Sequence, residues 1–581
     1  MPLEQLQFER WGLPQRWRSR AQYTLIDSNF GDGLRFLQLW DLWRQDAARP
    51  DRLHVVSFSP ALVGVAALRE QLLASGLTHL RHLAEQLVQA WPMNLPGTHR
   101  LDFEGLAITL TIAVGPLELT VPRVAVLADA ILLSDVQASN QETLAPVWQG
   151  VLPRLLRDQR QGVLVTQAGV VSVAQSIAQS IAPPMAQTSP LSPTDRLLGL
   201  SLSSSAANVR REAIVVGAGV AGVGVAHALA LRGWQVQVID SRAARRQAHG
   251  AHLAAALTPM VTRDDDVRAR LSRAGSLRAQ ARWSEVSQEA LWRCGALQLQ
   301  RVNGRIVDLA AVLKGLSFSE EWVRYVDAEQ ASALAGLPLT RGGLYFPTAA
   351  RIRPERLLDE LLATQGVAFV DAHVHGLHYT GLQWQVLDAA GQSLAQAPQL
   401  ILAGAFGTQD LLQRHHRLEQ APRLAAMHQL GGEITMLPAD LLSGGPRCIV
   451  SGDGYILPAL EGRCVVGSSY VHGAEQIGMT AEGVRGNLQR VEGLLGKTVS
   501  TDSFADVSER AGAGWAGWRA VLPGRLPAIG PIPRAEGLWV AVGFASRGLT
   551  WASLAGDLIA AALNHEPLPL ERDIIDKISQ T

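Results

Sequence analysis

The sequence predicts an α/β protein built on doubly wound parallel sheets, and three stretches carry that prediction. The first, "AIVVGAGVAGVGVAHALALRGWQVQVID" (Ala213 to Asp240), reads as strand, glycine turn, helix and second strand. The second, "APQLILAGAFG" (Ala397 to Gly407), reads as a buried strand running into another glycine turn. The third, "GLWVAVGFASRGLTWASLAGDLIAAALNHEPLP", repeats strand, turn and long helix near the end of the chain. Short apolar runs without polar alternation are strands covered on both faces, as a parallel sheet sandwiched between helices requires.

Each part of the first stretch has a physical reason. "AIVV" is the buried strand, and Gly217, Gly219 and Gly222 supply GxGxxG at its end. The first glycine permits the tight turn, the second lets backbone approach a pyrophosphate, and the third lets the helix pack closely on the sheet. "VAGVGVAHALALRG" is that helix, whose N-terminal N–H groups and dipole favour phosphate. Gly233 ends it and "WQVQVI" is the second strand. Asp240 closes the unit roughly 20 residues after Gly217, where an acid accepts hydrogen bonds from ribose hydroxyls. An acid there argues against the 2′-phosphate of NADP and leaves FAD and NAD open.

The third stretch brackets its turn with Gly543 and Gly548. That turn aims a helix N-terminus at an electron-rich group such as the pyrimidine ring of a flavin. Together with the distant fingerprint, it predicts one nucleotide-binding domain of the Rossmann type assembled from separate segments.

Composition bounds the rest. A chain of 581 residues suggests about two to four domains, and 47% hydrophobic residues supply their cores. With 52 basic and 52 acidic residues there is no global pull towards nucleic acid, so a polyanion needs a local basic patch. Three cysteines, Cys294, Cys448 and Cys464, lie too far apart for a disulfide framework or a zinc site. No metal is expected, since the adjacent His415 and His416 have no further ligands beside them. The opening "MPLEQLQFERWGLPQRW" carries charges and prolines where a signal peptide needs an apolar core. Ala213 to Leu231 is long enough for a membrane span, but the fingerprint explains the same residues more completely. A soluble, cytoplasmic protein with no membrane partner is expected, and no internal repeat is visible.

Further blocks carry a family resemblance. "HGAHLAAALTPMVTRDDDVRARLSRAG", "LWRCGALQL", "VSGDGYILPALEGRCVVGSSYVHG", "GWRAVLPGRLPAIGPIP" and "GFASRGLTWASLAGDLIAAALNHEPLPL" follow the fingerprint in order. Over roughly 213–571 the chain resembles flavin-dependent amine oxidases of the D-amino-acid oxidase and glycine oxidase type. More narrowly, it resembles the oxidase half of the tRNA 5-methylaminomethyl-2-thiouridine biosynthesis bifunctional family. The first third is similar to that family's methyltransferase domain through "YTLIDSNFGDGLRFLQLWDLW", "LHVVSFSP", "WPMNLPGTHRLDFEGLAITLTIAVG" and "VAVLADAILLSDVQASNQETLAPVWQGVLPRLLRDQRQGVLVTQ".

The resemblance implies an organisation. Residues 1–182 form a Rossmann-like, degenerate methyltransferase-type domain. A linker follows over 183–211, where "PPMAQTSPLSP" and "SLSSSAANVR" are too rich in Pro, Ser and Ala for a packed core. Residues 212–571 form the FAD-dependent oxidoreductase and 572–581 a tail. Its FAD-binding segments are about 212–275, 345–408 and 510–571. The intervening segments, about 276–344 and 409–509, form an antiparallel-sheet substrate domain. Gly217, Gly219, Gly222, Asp240, Gly543 and Gly548 would hold FAD.

The implied reaction acts on a wobble uridine carrying a carboxymethylaminomethyl group. A hydride leaves a carbon next to the amine for the flavin, and the resulting imine hydrolyses to glyoxylate and an aminomethyl base. In the family, S-adenosylmethionine then methylates that amine. A carboxylate-binding cation is needed, and Arg519 in "GWRAVLP" matches the family arginine. Arg547 in "ASRGL" and Tyr455 in "GDGYILP" are further candidates for the same pocket.

The methyltransferase match is worn where S-adenosylmethionine would bind. Gly31, Gly33 and Asp135 remain as a residual site, but Asn29 stands where the family has glycine. Ser59 stands where it has a ribose-binding glutamate, "SDVQAS" replaces its aspartate-glycine-phenylalanine-alanine-proline run, and Asp27 has no clear counterpart role. Weak or absent binding of S-adenosylmethionine is expected. For tRNA, the candidate patches are "SRAARRQ" (Ser241 to Gln247) and "RHHRLEQAPR" (Arg414 to Arg423). Two other readings stay open: an oxidase of free glycine, sarcosine or D-amino acids, and a first third kept only as a docking module.

Overall fold

A computed structural model describes residues 8–9, 11–133, 146–158, 163–166, 169–172, 192–203, 210–301, 307–473, 475–496 and 514–580. The chain divides into two compact units, one of Met1–Asn208 with Ala560–Lys577, the other of Val209–Ile559 with Ile578–Thr581. The segment Ala560–Lys577, expected with the oxidoreductase and the tail, is thus counted with the first unit.

The first unit is built on strands β1 (Gln22–Asp27), β2 (Arg52–Ser59), β3 (Gly97–Phe103), β4 (Ile108–Val114), β5 (Ala130–Leu132), β6 (Val163–Thr166) and β7 (Gly169–Ser172). They form one sheet in the order β3-β4-β2-β1-β5-β6-β7. The central five are parallel, and β3 and β7 pair antiparallel at the edges. Because alternate residues face opposite sides of a strand, two cores result. Tyr23, Leu25, Leu53 and Val55 join one core, and Ile26, Val56 and Phe58 join the other. Helix α1 (Leu34–Gln45) buries Phe36, Leu37, Trp40 and Trp43, one face at helical spacing. Strand order reverses at β1, with β2 on one side and β5 on the other, so ligands would meet the carboxyl ends of β1, β2 and β5.

Within this unit Glu566 is sealed between Arg52, at 2.6 Å, and Arg100, at 2.8 Å. The stretch expected as an unpacked linker carries a helix, Pro193–Ser203, and there the expectation fails. Thr194 is buried and bonds the Asp576 carboxylate at 2.8 Å, and Asp195 pairs with Arg572 at 2.6 Å. These partners lie far away in sequence, so local composition gave no sign of the packing.

In the second unit the elements that matter here are β8 (Glu212–Val216), α2 (Val220–Ala230), β9 (Gln235–Asp240), α3 (Val267–Arg282), β10 (Val367–Asp371), β11 (Gln399–Leu402), β12 (His428–Pro438), β13 (Gly514–Val521), β14 (Ala528–Pro531), β15 (Leu538–Val542) and α4 (Gly548–Leu563). Strands β10-β9-β8-β11-β15-β14 form a sheet that is parallel except at β14. Its strand order again reverses beside the first strand, between β9 and β11 on either side of β8. A second, nine-stranded and largely antiparallel sheet has β12 at its heart, paired with β13. Strand β13, expected with the nucleotide-binding segments, therefore lies in this second sheet.

Helices α2 and α4 cross at close range. A Cβ on Gly556 would lie 2.3 Å from the Gly224 carbonyl oxygen, so only glycine fits. The charged look of α3 misleads about its surroundings, because Arg273 and Arg278 are buried. Asp557 of α4 is fully buried and receives Arg232 at 3.0 Å, Arg282 at 2.8 Å and Arg278. Burial alone would raise that carboxyl, but Arg278, Arg282 and Arg232 hold it well below the usual carboxylate range.

Candidate active site

The fingerprint folds as its spacing requires. Gly217 turns the chain at φ +109°, and a Cβ there would lie 2.7 Å from the Ala403 carbonyl. At Gly222 a Cβ would lie 1.9 Å from the Gly217 carbonyl oxygen, so helix α2 seats on the strand only without one. Gly219 differs: its Cβ would meet nothing nearer than His249 Nε2, at 3.7 Å. The space before the first turn of α2 is therefore open, and Gly219, Val220 and Ala221 at its start line a cavity. Asp240 accepts from the Ala218 N–H at 2.7 Å and the Ser241 N–H at 2.8 Å. A carboxylate has about four acceptor positions, so two remain for ribose hydroxyls.

The cavity, about 490 Å³, is lined by Gly217, Gly219, Asp240, Gly404, Gly543, Gly548 and Arg519. Five of the six residues expected to hold the nucleotide thus border one space. Gly222, the sixth, supports the turn from behind. Gly543 adopts φ +74°, which brings the chain from β15 round to α4. These residues fit a dinucleotide with a flavin: a phosphate-facing helix start, a ribose-facing acid and a second turn at the far end.

Arg519 comes from β13, where it pairs opposite Leu430 of β12. Its guanidinium donates to the Ser468 hydroxyl at 3.2 Å and lies near the carbonyls of Gly431 (3.4 Å) and Ser469 (3.5 Å). A Cβ on Gly432 would lie 1.8 Å from Arg519 Nη1, so that glycine clears the lane for the side chain. On one side the guanidinium lies over the ring of Tyr470, 4.9 Å from its centroid. Tyr455 hydrogen-bonds Ser468, and burial pushes its hydroxyl well above the ordinary tyrosine range, against the pull of Arg519. Arg547 donates to the Thr258 carbonyl at 2.9 Å, and burial lowers its guanidinium, opposed by Tyr470. Arg519, Tyr455 and Arg547 therefore meet electrostatically around Tyr470 and Ser468.

Two histidines that the motifs did not single out stand beside this cluster. His249 lines the cavity, and burial, helped by Arg245, holds its imidazole down at about 4. His252 stacks on Trp515 with centroids 4.6 Å apart and planes 7° apart. Burial, then His249 and Arg519, bring it to about 3. Both rings are neutral near pH 7, so neither competes with Arg519 for a carboxylate. The only signal was their place inside "HGAHLAAALTP".

The basic patches are largely engaged. Arg242 pairs with Asp371 at 3.2 Å and Arg245 with Asp359. Arg423 donates to main-chain carbonyls, and His415 accepts from the Leu377 N–H at 3.0 Å. Arg414 borders the cavity. Among the described residues no cluster of His, Cys, Asp and Glu could hold a metal ion, and no helix is long and apolar enough to cross a membrane.

In the first unit the glycine turn keeps its shape, with Gly31 at φ +61° and Gly33 at φ +83°. The side chains expected around S-adenosylmethionine are engaged by their neighbours. The Arg35 guanidinium donates to both Asp27 oxygens, at 2.7 and 2.9 Å. Asn29 turns its side-chain oxygen onto the Gly31 N–H at 3.0 Å, and Ser59 spends its hydroxyl on the Ala61 carbonyl at 2.6 Å. Asp135 lies outside the described residues.

Fold and cavity together define an FAD-dependent oxidoreductase of the D-amino-acid oxidase class. The family described as FAD dependent oxidoreductase, DAO, matches residues 212–562. The second unit shares its fold with the crystal structure of glycine oxidase from Geobacillus kaustophilus, at TM-score 0.50 and 18% identity, covering 64% of this chain and 98% of that one. The whole chain belongs to the family of the tRNA 5-methylaminomethyl-2-thiouridine biosynthesis bifunctional protein MnmC. The Cupriavidus necator protein of that name is 34% identical over 97% of this chain and 90% of its own. That of Cupriavidus metallidurans is 34% identical over 98% and 89%.

Proposed function

We propose that this chain oxidatively removes the carboxymethyl group from 5-carboxymethylaminomethyl-(2-thio)uridine at the wobble position of tRNA, leaving the aminomethyl base. The observation that carries this reading is the Arg519 guanidinium at the border of the dinucleotide cavity. It suits a substrate that is, chemically, an N-substituted glycine. FAD, when bound, supplies the two-electron oxidation of the C–N bond. Arg519 holds the carboxylate in a forked contact, and Ser468 with the Gly431 and Ser469 carbonyls aligns the fork. Tyr455, kept protonated by burial, adds a donor rather than a negative charge. His249 and His252, both neutral, add no positive charge beside the amine. In all, two electrons and two protons leave the substrate, a hydride from the carbon beside the amine for the bound flavin and the N–H proton for solvent, and water then splits the imine into glyoxylate and the primary amine.

The test is direct. Incubating the FAD-loaded chain with tRNA bearing the carboxymethylaminomethyl group should yield aminomethyluridine and glyoxylate, read by nucleoside mass spectrometry. Conversion of free glycine, sarcosine or a D-amino acid, with none of the tRNA, would favour the small-molecule oxidase instead.

The first unit we read as a methyltransferase-type domain that no longer binds its cofactor well. Asn29 and Ser59 are turned onto the backbone, and Arg35 neutralises the acid at the end of β1. A lost charge-assisted hydrogen bond alone weakens affinity about tenfold or more. Calorimetry with S-adenosylmethionine should show no micromolar binding, and aminomethyl tRNA should accumulate unmethylated. Micromolar affinity with rapid methyl transfer would overturn this.

A further inference from the structure

Tyr470 is 54% exposed, although one face of its ring is covered by the Arg519 guanidinium. A large aromatic side chain left this open beside a buried polar cluster has a free face. Its neighbour Val471 is 38% exposed, and Ile477 packs over Gly431, where a Cβ would lie 3.1 Å from Ile477 Cδ1. Gly431 and Gly432 carry no side chain, so Ile477 and the Arg519 guanidinium can lie directly against the sheet beside Tyr470. The result is an apolar shelf bordering the carboxylate-binding cation.

A substrate with its carboxylate on Arg519 carries, one methylene beyond its amine, a planar uracil ring. The aromatic ring that lies directly against the Arg519 guanidinium is Tyr470. We propose that Tyr470 is a specificity-determining residue whose free face stacks on the uracil ring while Arg519 holds the carboxylate. The proposal rests on the tRNA reading above. Aromatic rings stack on any base through its π-face, and the guanidinium on the opposite face keeps this ring from turning away. Free glycine has no ring and gains nothing from the shelf. Discrimination against small amines therefore resides at residue 470 rather than at Arg519, which both substrates use.

The experiment compares two ligands on the FAD-loaded full chain, with affinity read from the flavin absorbance. The ligands are 5-carboxymethylaminomethyluridine nucleoside and glycolate, which has the carboxylate without the base. Tyr470→Ala should weaken the nucleoside about 5- to 150-fold, the range for one base–aromatic stack, and glycolate less than twofold. Tyr470→Phe should recover the nucleoside affinity. Equal losses for both ligands would mean that Tyr470 acts only by placing Arg519, and the proposal would fall. It would also fall if the alanine variant lost nothing, or if phenylalanine did no better than alanine. If the wild-type chain binds glycolate but neither the nucleoside nor modified tRNA, the tRNA reading fails, and this role with it.

Discussion

Gly219→Val is expected to give a folded but colourless protein, whereas the wild-type chain should purify yellow with about one FAD per chain. The geometry separates fold from cofactor. A Cβ at residue 219 would have nothing within 3.7 Å, so the protein itself accepts a side chain. The added methyl groups instead fill the cavity in front of α2, where backbone must approach a pyrophosphate. Gly222→Ala is the control with the opposite logic. Its Cβ would sit 1.9 Å from the Gly217 carbonyl oxygen, so the helix must lift off the strand and stability falls. Far-UV circular dichroism, thermal melting and flavin absorbance on both variants decide the matter. A Gly219→Val protein with full flavin, or a colourless wild type that FAD cannot reconstitute, would overturn the assignment.

How much of this was legible in the sequence depended on the range of each interaction. The fingerprint is contiguous, and its three glycines, helix and closing Asp240 constrain one another within a single βαβ unit. Gly543 and Gly548 form a second local unit, and both could be read without a partner. Arg519 was found only through resemblance, and its neighbours were not found at all. Ser468, Ser469 and Tyr470 follow the strand Arg463–Gly467, which pairs with β12 with Gly467 opposite Ile434, while β13 pairs with β12 with Arg519 opposite Leu430. No local pattern encodes that register.

Charge was the most misleading signal. Arg273 and Arg278 belong to the charged helix α3, yet both are buried. Asp557, in the otherwise apolar "SLAGDLIAAAL", supplies the carboxylate that Arg278 needs. In "SRAARRQ", Arg242 and Arg245 pair with Asp371 and Asp359 from elements more than a hundred residues further along the chain. The helix Pro193–Ser203 hid for the same reason, since its partners Arg572 and Asp576 come from the far end of the chain. Local composition reports what a segment could do alone, and long-range ion pairs change the answer.

Arg519→Ala should keep its flavin and lose most of its turnover. The guanidinium touches Ser468, Gly431 and Ser469 rather than the GxGxxG turn, so its removal leaves the fingerprint contacts intact. What is lost is the forked, charge-assisted contact with the substrate carboxylate. Removing one partner of such a pair in a desolvated site costs about 2–5 kcal/mol. Arg519 is half-buried, so the lower part of that range applies, and kcat/KM should fall roughly 30- to 300-fold. Arg519→Lys tests geometry against charge. It keeps the cation, but an ammonium offers a point charge where a planar fork had aligned two oxygens, and turnover should lie between alanine and wild type. Flavin reduction in single-turnover stopped flow separates the alternatives, because it reads the oxidation step without product release. Should both variants reduce flavin at the wild-type rate on carboxymethylaminomethyl tRNA, Arg519 does not hold the substrate, and Arg547, buried near Tyr470, becomes the cation to test.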